Sequence, residues 1–342
     1  MHFDLMTTGL PIRRMQQLAL DAEAAGFSGL VVTESGRSAY LSCTAAALAT
    51  ELDILTGVAV AFPRSPMVTA QLAWELAELS EGRFRLGLGT QVRAHIERRY
   101  GSEFERPGPR LKEYVQALRA IFEAFRNGTP LAHDGEFWKL SLLPAMWAPG
   151  PIDVPDPAVD IAAVNPWMLR MAGEVADGVH VHPLNTPTYL EQTVMPELEA
   201  GAAKAGRSRA DLQVIVPTMA APGSTAEEVN GLREMARMQV AFYGSTPNYG
   251  FIFDQVGFEG TTERIRERQK AGDFAGMAAC IPDELLEHFC VSGDWATVAD
   301  GLITRHRGIA DRVVSYFAAG QWARDPAILG PWGELAKAVQ AA

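Results

Sequence analysis

The chain has 342 residues, 48% of them hydrophobic and 21% charged, which supports a large folded core and excludes a disordered chain. With 30 basic against 41 acidic residues the formal charge is −11, which argues against a broad phosphate-backbone footprint and so against nucleic-acid binding, while leaving room for a local basic pocket. Cys43, Cys280 and Cys290 are scattered, with no close pair of the kind that holds zinc or a redox disulfide.

The start, MHFDLMTTGLP, lacks a basic region followed by an apolar core, and no apolar run approaches the roughly 18 residues of a membrane span. The expectation is a cytoplasmic protein that does not enter membranes. MHFDLMT reads as a first strand, and PIRRMQQLALDAEAAGF as a helix that opens at Pro11 and ends near Gly26, with Met15, Leu18, Ala19, Ala22 and Ala25 on one face. SGLVVTE is a second strand, residues 42–50 a helix, and DILTGVAVAF a third strand. PMVTAQLAWELAELS is the next helix, closed by Gly82; FRLGLG is a fourth strand, and PRLKEYVQALRAIFEAFRNG a strong helix after it.

The rhythm breaks at residues 128–157, where Pro130, Pro144, Pro149, Pro151, Pro155 and Pro157 leave little periodicity. This reads as an insertion with a short hairpin, not as an interdomain linker, because the rhythm resumes: VDIAAV, PWMLRMAGEVA, DGVHVHP, then a helix over 188–205. LQVIVPTMAA is a seventh strand. Residues 222–295 form helical pieces around an aromatic patch, FYGSTPNYGFIFDQVGF. DRVVSYFAAG supplies the eighth strand, and a helix from about Pro331 closes the chain. Eight strand–helix pairs predict an α/β fold, a TIM (β/α)8 barrel with insertions at about 128–157 and 222–295, in a single domain over 1–342. Function then belongs at the C-terminal ends of the strands.

Those ends form a short set. The second strand stops at Thr33, Glu34 and Ser35, where the carboxylate can orient a cofactor, hold a proton or simply cap the turn. Gly57, Val58, Ala59 and Val60 leave space for a flat ring against the backbone or for close core packing. The fourth strand ends in GLGT, but Val92 stands where the third glycine of a dinucleotide fingerprint belongs, and no Gly-Lys-Ser/Thr follows, so both nucleotide readings fail. Beyond Thr90, Arg93, His95, Glu97, Arg98 and Arg99 make either a solvated helix or a pocket wall. Asn165, Pro166, Trp167 and Met168 open a helix whose free N–H groups suit a phosphate. His180 and His182 alternate onto one side of their strand, with no third ligand spaced for a metal. His182, nearer the strand end, is the candidate hydrogen-bond donor or proton carrier.

Three segments in this order, PRSP after the third strand, GLGTQVRAHIERRYG and MLRMAGEVADGVHVHPLNTPTYL, carry a wider likeness. The chain resembles the luciferase-like monooxygenase superfamily, and within it the branch of oxidoreductases that use coenzyme F420, an 8-hydroxy-5-deazaflavin. FMN is the alternative cofactor, with monooxygenase chemistry on the same barrel. The resemblance implies a non-proline cis bond at Gly57–Val58 behind the ring, with Ala59 beside it. It places Glu34 near the ring, Thr90 and His95 at the ring or its tail, and Asn165 to Met168 at the phosphate. Val60 departs from the polar residue often found there.

The implied chemistry is hydride transfer between the cofactor and a small organic substrate, an alcohol, a carbonyl or an activated C=C. Glu34 and His182 are the proton-donor candidates. The substrate is expected to be partly apolar, covered by residues 128–157 and by Tyr243, Tyr249, Phe251 and Phe253, although that aromatic loop equally suits a dimer surface. The expected assembly is a homodimer or higher homo-oligomer.

Overall fold

In the first strand, β1 (His2–Thr8), alternate side chains part company: Phe3 and Leu5 turn outward onto helices, Asp4 and Met6 inward. The computed structural model describes residues 1–342, the side chain of Pro326 aside. After β1 come α1 (Ile12–Ala25), β2 (Gly29–Thr33), α2 (Ala39–Ala47), β3 (Asp53–Thr56), β4 (Ala59–Val60), α3 (Pro66–Leu79), β5 (Phe84–Gly89), α4 (Arg93–Arg98) and α5 (Pro107–Asn127). The hairpin β6 (His133–Asp134) and β7 (Lys139–Leu140) follows, then β8 (Ala158–Ala163), α6 (Pro166–Val175), β9 (Gly178–Val181), α7 (Pro187–Tyr189) and, past a π-helical turn at Leu190–Val194, α8 (Met195–Lys204).

The last third runs through β10 (Gln213–Pro222), α9 (Ala226–Gly244), α10 (Gly250–Asp254), α11 (Thr261–Lys270), α12 (Phe274–Ala279) and α13 (Asp283–Phe289). It ends with β11 (Cys290–Gly293), α14 (Trp295–His306), β12 (Arg312–Ser315), α15 (Ala318–Trp322) and α16 (Leu329–Gln340).

The parallel strands run β1–β2–β3–β5–β8–β9–β10–β12, and β12 pairs back to β1. This is the closed eight-stranded barrel of a TIM fold, with helices outside. β4 continues β3 after a break and pairs with β5; β11 lies outside the barrel on the distal half of β10, a strand that periodicity did not predict. Helices form where one face is apolar: α1 buries Met15, Ala19 and Ala22 and stops at Gly26, whose φ of 97° needs glycine.

The barrel interior is layered. At its floor Arg312 is bidentate to Asp4 at 2.7 and 2.8 Å and reaches Asp53 at 2.8 Å, while Arg85 is bidentate to Asp160 at 2.9 and 2.6 Å. Above lies an apolar belt of Val31, Leu55, Ile215 and Val314, all fully buried, with Met6 against it. Only above that belt does the interior become polar again.

The predicted insertion at 128–157 is present and does hold a hairpin, but it is strapped to the barrel's flank. The Glu113 carboxylate of α5 accepts the N–H groups of Glu136, Phe137 and Trp138 at 2.8, 2.8 and 2.7 Å. Trp74 Nε1 donates to the Gly150 carbonyl at 3.0 Å, and Arg126 donates to the carbonyls of Ile152 and Val154 at 2.7 Å each. No described helix is long and apolar enough to cross a membrane, and among the described residues no group of three or more His, Cys, Asp or Glu could hold a metal.

Candidate active site

The C-terminal ends of the strands open into one cleft of about 1960 Å³. Its floor is set by close backbone approach. A Cβ on Gly89 would sit 2.7 Å from Val58 Cγ2, and one on Gly87 would meet His180 Nε2 at 2.5 Å, so glycine at both positions lets β3, β5 and the His180 ring come together. His180 is buried between Gly57 and Gly87; burial drives it down to about 4, so its imidazole is neutral.

Beside it the Gly57–Val58 peptide is cis, and it separates β3 from β4. The end of β2 clamps this turn. Thr33 Oγ1 donates to the Gly57 carbonyl at 2.9 Å, the Glu34 N–H to the Val58 carbonyl at 3.4 Å, and the Glu34 carboxylate accepts the Val60 N–H at 2.8 Å. Arg64 completes the clamp, donating to both Glu34 oxygens at 2.9 and 2.6 Å with its guanidinium 4.9 Å from the Tyr40 ring. Both carboxylate oxygens are engaged by these partners, which fixes the side chain against the turn. Glu34, expected near the ring, lines the cleft and shapes this shelf.

Val60, Gly89 and Thr90 continue the wall of the cleft beside Gly57 and Val58. Ala59 does not: alternation in β4 turns its side chain into the core, where it is fully buried. Thr90 is half-buried and donates to the Gln91 carbonyl at 3.2 Å; Gln91 takes a left-handed φ of 57°, which turns the chain into α4. His95 lines the rim from α4 and is exposed, as is Arg93, which pairs with Glu97 at 2.6 Å.

At the next strand end Asn165 caps α6, its Oδ1 accepting the Met168 N–H at 2.9 Å. Asn165, Trp167 and Met168 line the cleft; Pro166 is exposed and does not, because the first helical position turns it away. Trp167 lies over Gly108 in the first turn of α5, where a Cβ would come within 2.5 Å of the indole. Elsewhere on the cleft wall the lining cations are Arg13 and Arg14 from α1 and Arg93 from α4, and the lining carboxylates are Asp21 and Glu34.

His182 stands at the end of β9. Its Nδ1 accepts the Leu184 N–H at 3.0 Å, which assigns the ring proton to Nε2, and burial pushes its pKa down to about 3. The ring meets Tyr243 edge-on at 4.6 Å and Tyr249 at 4.7 Å between centroids. The Tyr243 and Tyr316 hydroxyls are hydrogen-bonded to each other, and burial raises both phenols above their ordinary range.

The expected cover is corrected in two places. Among the described residues none of 128–157 lines the cleft, because the straps from Glu113, Trp74 and Arg126 hold that segment elsewhere. Of the aromatic loop, Tyr243 and Tyr249 line the cleft, whereas Phe253 is buried against Phe289 and Phe251 packs on Tyr189. Arg64 and Tyr316 were not foreseen. Tyr316 sits directly beyond β12, so the strand-end rule applied to the eighth strand selects it; nothing in the spacing links Arg64 to Glu34.

A parallel barrel with a layered interior and a ligand cleft built from its C-terminal strand ends defines a barrel enzyme scaffold of the TIM class. The model of the luciferase-like monooxygenase family matches residues 2–312, and the chain belongs to that family. An uncharacterised protein of Mycobacterium tuberculosis is 38% identical over 309 residues, covering 90% of this chain and 91% of its own. The 5,10-methylenetetrahydromethanopterin reductase of Archaeoglobus fulgidus is 29% identical over 308 residues, 87% of this chain and 86% of the reductase. Among solved structures, an F420-dependent secondary alcohol dehydrogenase in complex with an F420–acetone adduct superposes with a TM-score of 0.76 at 14% identity, covering 99% of this chain and 98% of the dehydrogenase.

Proposed function

We propose that the protein is an oxidoreductase that binds coenzyme F420 in this cleft and exchanges a hydride between it and a small, partly apolar organic molecule. The observation that carries the reading is the shelf at Gly57 and Val58, clamped by Thr33 and Glu34 and lining one cleft with the capped start of α6. The backbone at Gly57, Val58 and Gly89 lines one wall of the cleft, which suits a flat ring system, and Arg13, Arg14 and Arg93 on the lining suit an anionic tail. The reductase and dehydrogenase relatives support the same assignment.

When bound, a deazaflavin supplies a ring carbon that carries or accepts hydride. The protein's own residues do the rest. Gly57, Val58 and Thr90 would back the ring, and Asn165, Trp167 and Met168 would hold the phosphate. His182, neutral and bearing its proton on Nε2, would donate a hydrogen bond to a substrate atom and could not act as an imidazolium acid near neutral pH.

The test is direct titration of the purified protein with oxidised F420 and, separately, with FMN, followed by fluorescence. The expected result is saturable binding of F420 that Gly57→Leu abolishes. Tight FMN binding with no affinity for F420 would move the protein to the monooxygenase side of its family. The working assembly is a homo-oligomer in the cytoplasm, checked by sedimentation and by fractionation of the source cells.

A further inference from the structure

The cleft ends at its deep side on an imidazole that the fold leaves unsatisfied. Of the eleven buried side-chain polar atoms without a hydrogen-bond partner among the described residues, only His180 Nε2 belongs to a residue that lines the cleft. His180 is 5% exposed and stands at the foot of the shelf: a Cβ on Gly57 would lie 3.3 Å from its Cε1 and 3.6 Å from its Nδ1. A half-turn of the ring about Cβ–Cγ brings Nε2 to where Cε1 stands, so a nitrogen faces the shelf in either orientation. Burial keeps the ring neutral, with one N–H donor and one bare nitrogen acceptor.

Filling space does not require a histidine here. Gly87 on β5 and Ala162 on β8 leave room in the barrel, and an apolar side chain would occupy it without burying an unpaired polar group. The neighbouring lining at this depth is apolar, Met6, Val31, Pro217 and Val314, and the backbone of those strands is paired in the sheet. The foot of the shelf therefore offers a ligand one hydrogen-bonding side chain in apolar surroundings.

The two ends of an 8-hydroxy-5-deazaflavin differ in what they need. One is a pyrimidinedione with several polar edge atoms, and the other a benzenoid ring with a single hydroxyl. An apolar floor with one hydrogen-bonding side chain satisfies the second and would strand most of the first. We propose that His180 binds the coenzyme: its imidazole hydrogen-bonds the ring hydroxyl of a deazaflavin whose hydroxylated end lies at the foot of the shelf. This rests on the F420 reading above. FMN carries methyl groups at that end and would leave the imidazole unpaired, so the same contact makes His180 a determinant of deazaflavin over flavin.

The test compares affinities, titrated by fluorescence on the full-length protein, of wild type and His180→Leu for two ligands: oxidised F420, and an F420 analogue whose ring hydroxyl is replaced by hydrogen. The wild type is expected to bind F420 about tenfold more tightly than the analogue, and His180→Leu to bind the two alike. In urea the variant is expected to be no less stable than the wild type, since it removes an unpaired polar group. Should the leucine variant not fold, histidine nitrogen NMR of the wild type carries the test. The His180 signal, assigned by its loss in His180→Gln, is expected to move when F420 is added. A wild type that does not distinguish the two ligands, a variant that still does, or a His180 signal unmoved by bound F420 overturns the proposal and leaves the coenzyme reading standing. If F420 does not bind the wild type, the coenzyme reading fails and this contact with it.

Discussion

At the scale of single residues, Glu34 shapes the site through its contacts. It joins β2, the Val60 N–H and Arg64 at a point where the backbone turns through a cis bond. Glu34→Gln leaves a partly buried guanidinium without its countercharge and is expected to cost about 3 kcal/mol in urea denaturation, with F420 affinity lost in parallel. Unchanged stability would mean that the pair is bystander chemistry. Three buried histidines set the acid response: His180 is held down near 4, and His182 and His306 near 3, each chiefly by burial. Their folded pKa values lie below the unfolded value, so the unfolded chain binds more protons between about pH 6.5 and 3, and stability falls as pH drops through that window. His306, bonded through Nε2 to Thr218, is the cleanest test. His306→Gln is expected to flatten the fall of the unfolding free energy with pH, read from urea denaturation, by up to about 1.4 kcal/mol per pH unit, and an equally steep profile would reassign the cause.

At the scale of elements, the rhythm of strands and helices was readable because period-two and period-3.6 patterns are local. The placement of the insertion was not, because it depends on Glu113, Trp74 and Arg126 finding backbone partners far along the chain. The same limit hid Arg64 behind Glu34 and Tyr316 behind Tyr243, pairs separated by 30 and 73 residues. The strand-end rule did locate Glu34, Thr90, Asn165 and His182 at the mouth, while Ala59 and Pro166 went astray through facing, a one-residue matter that alternation and the first helical position decide. The cis bond came from family likeness, since no periodicity encodes it. Glu113→Ala strips three backbone N–H groups of their acceptor and is expected to cost about 3 kcal/mol. It should raise hydrogen exchange at residues 133–140 and leave F420 affinity unchanged, because the insertion takes no part in the cleft. Weakened coenzyme binding in that variant would show that the insertion does reach the site.

At the scale of the whole molecule, the barrel closes around buried charge. Arg85 with Asp160, and Arg312 with Asp4 and Asp53, have their polar atoms matched in bidentate geometry, which offsets the cost of taking them out of water. Asp160→Ala is expected to lower stability by about 4 kcal/mol in chemical denaturation, since it strands Arg85 in the interior. The joint change Arg85→Met with Asp160→Leu should recover most of that loss; if the double variant is as unstable as the single one, the ionic floor is required for closure and not merely for charge balance.

The belt of Val31, Leu55, Ile215 and Val314 lies between that floor and the polar mouth, on the side of the barrel formed by β2, β3, β10 and β12, with His180 of β9 outside it. On that side it keeps the ionic floor apart from the cleft by apolar side chains alone. The two ends can also change separately: loops and side chains at the mouth can be recast for a different substrate while the ionic floor goes on closing the same barrel.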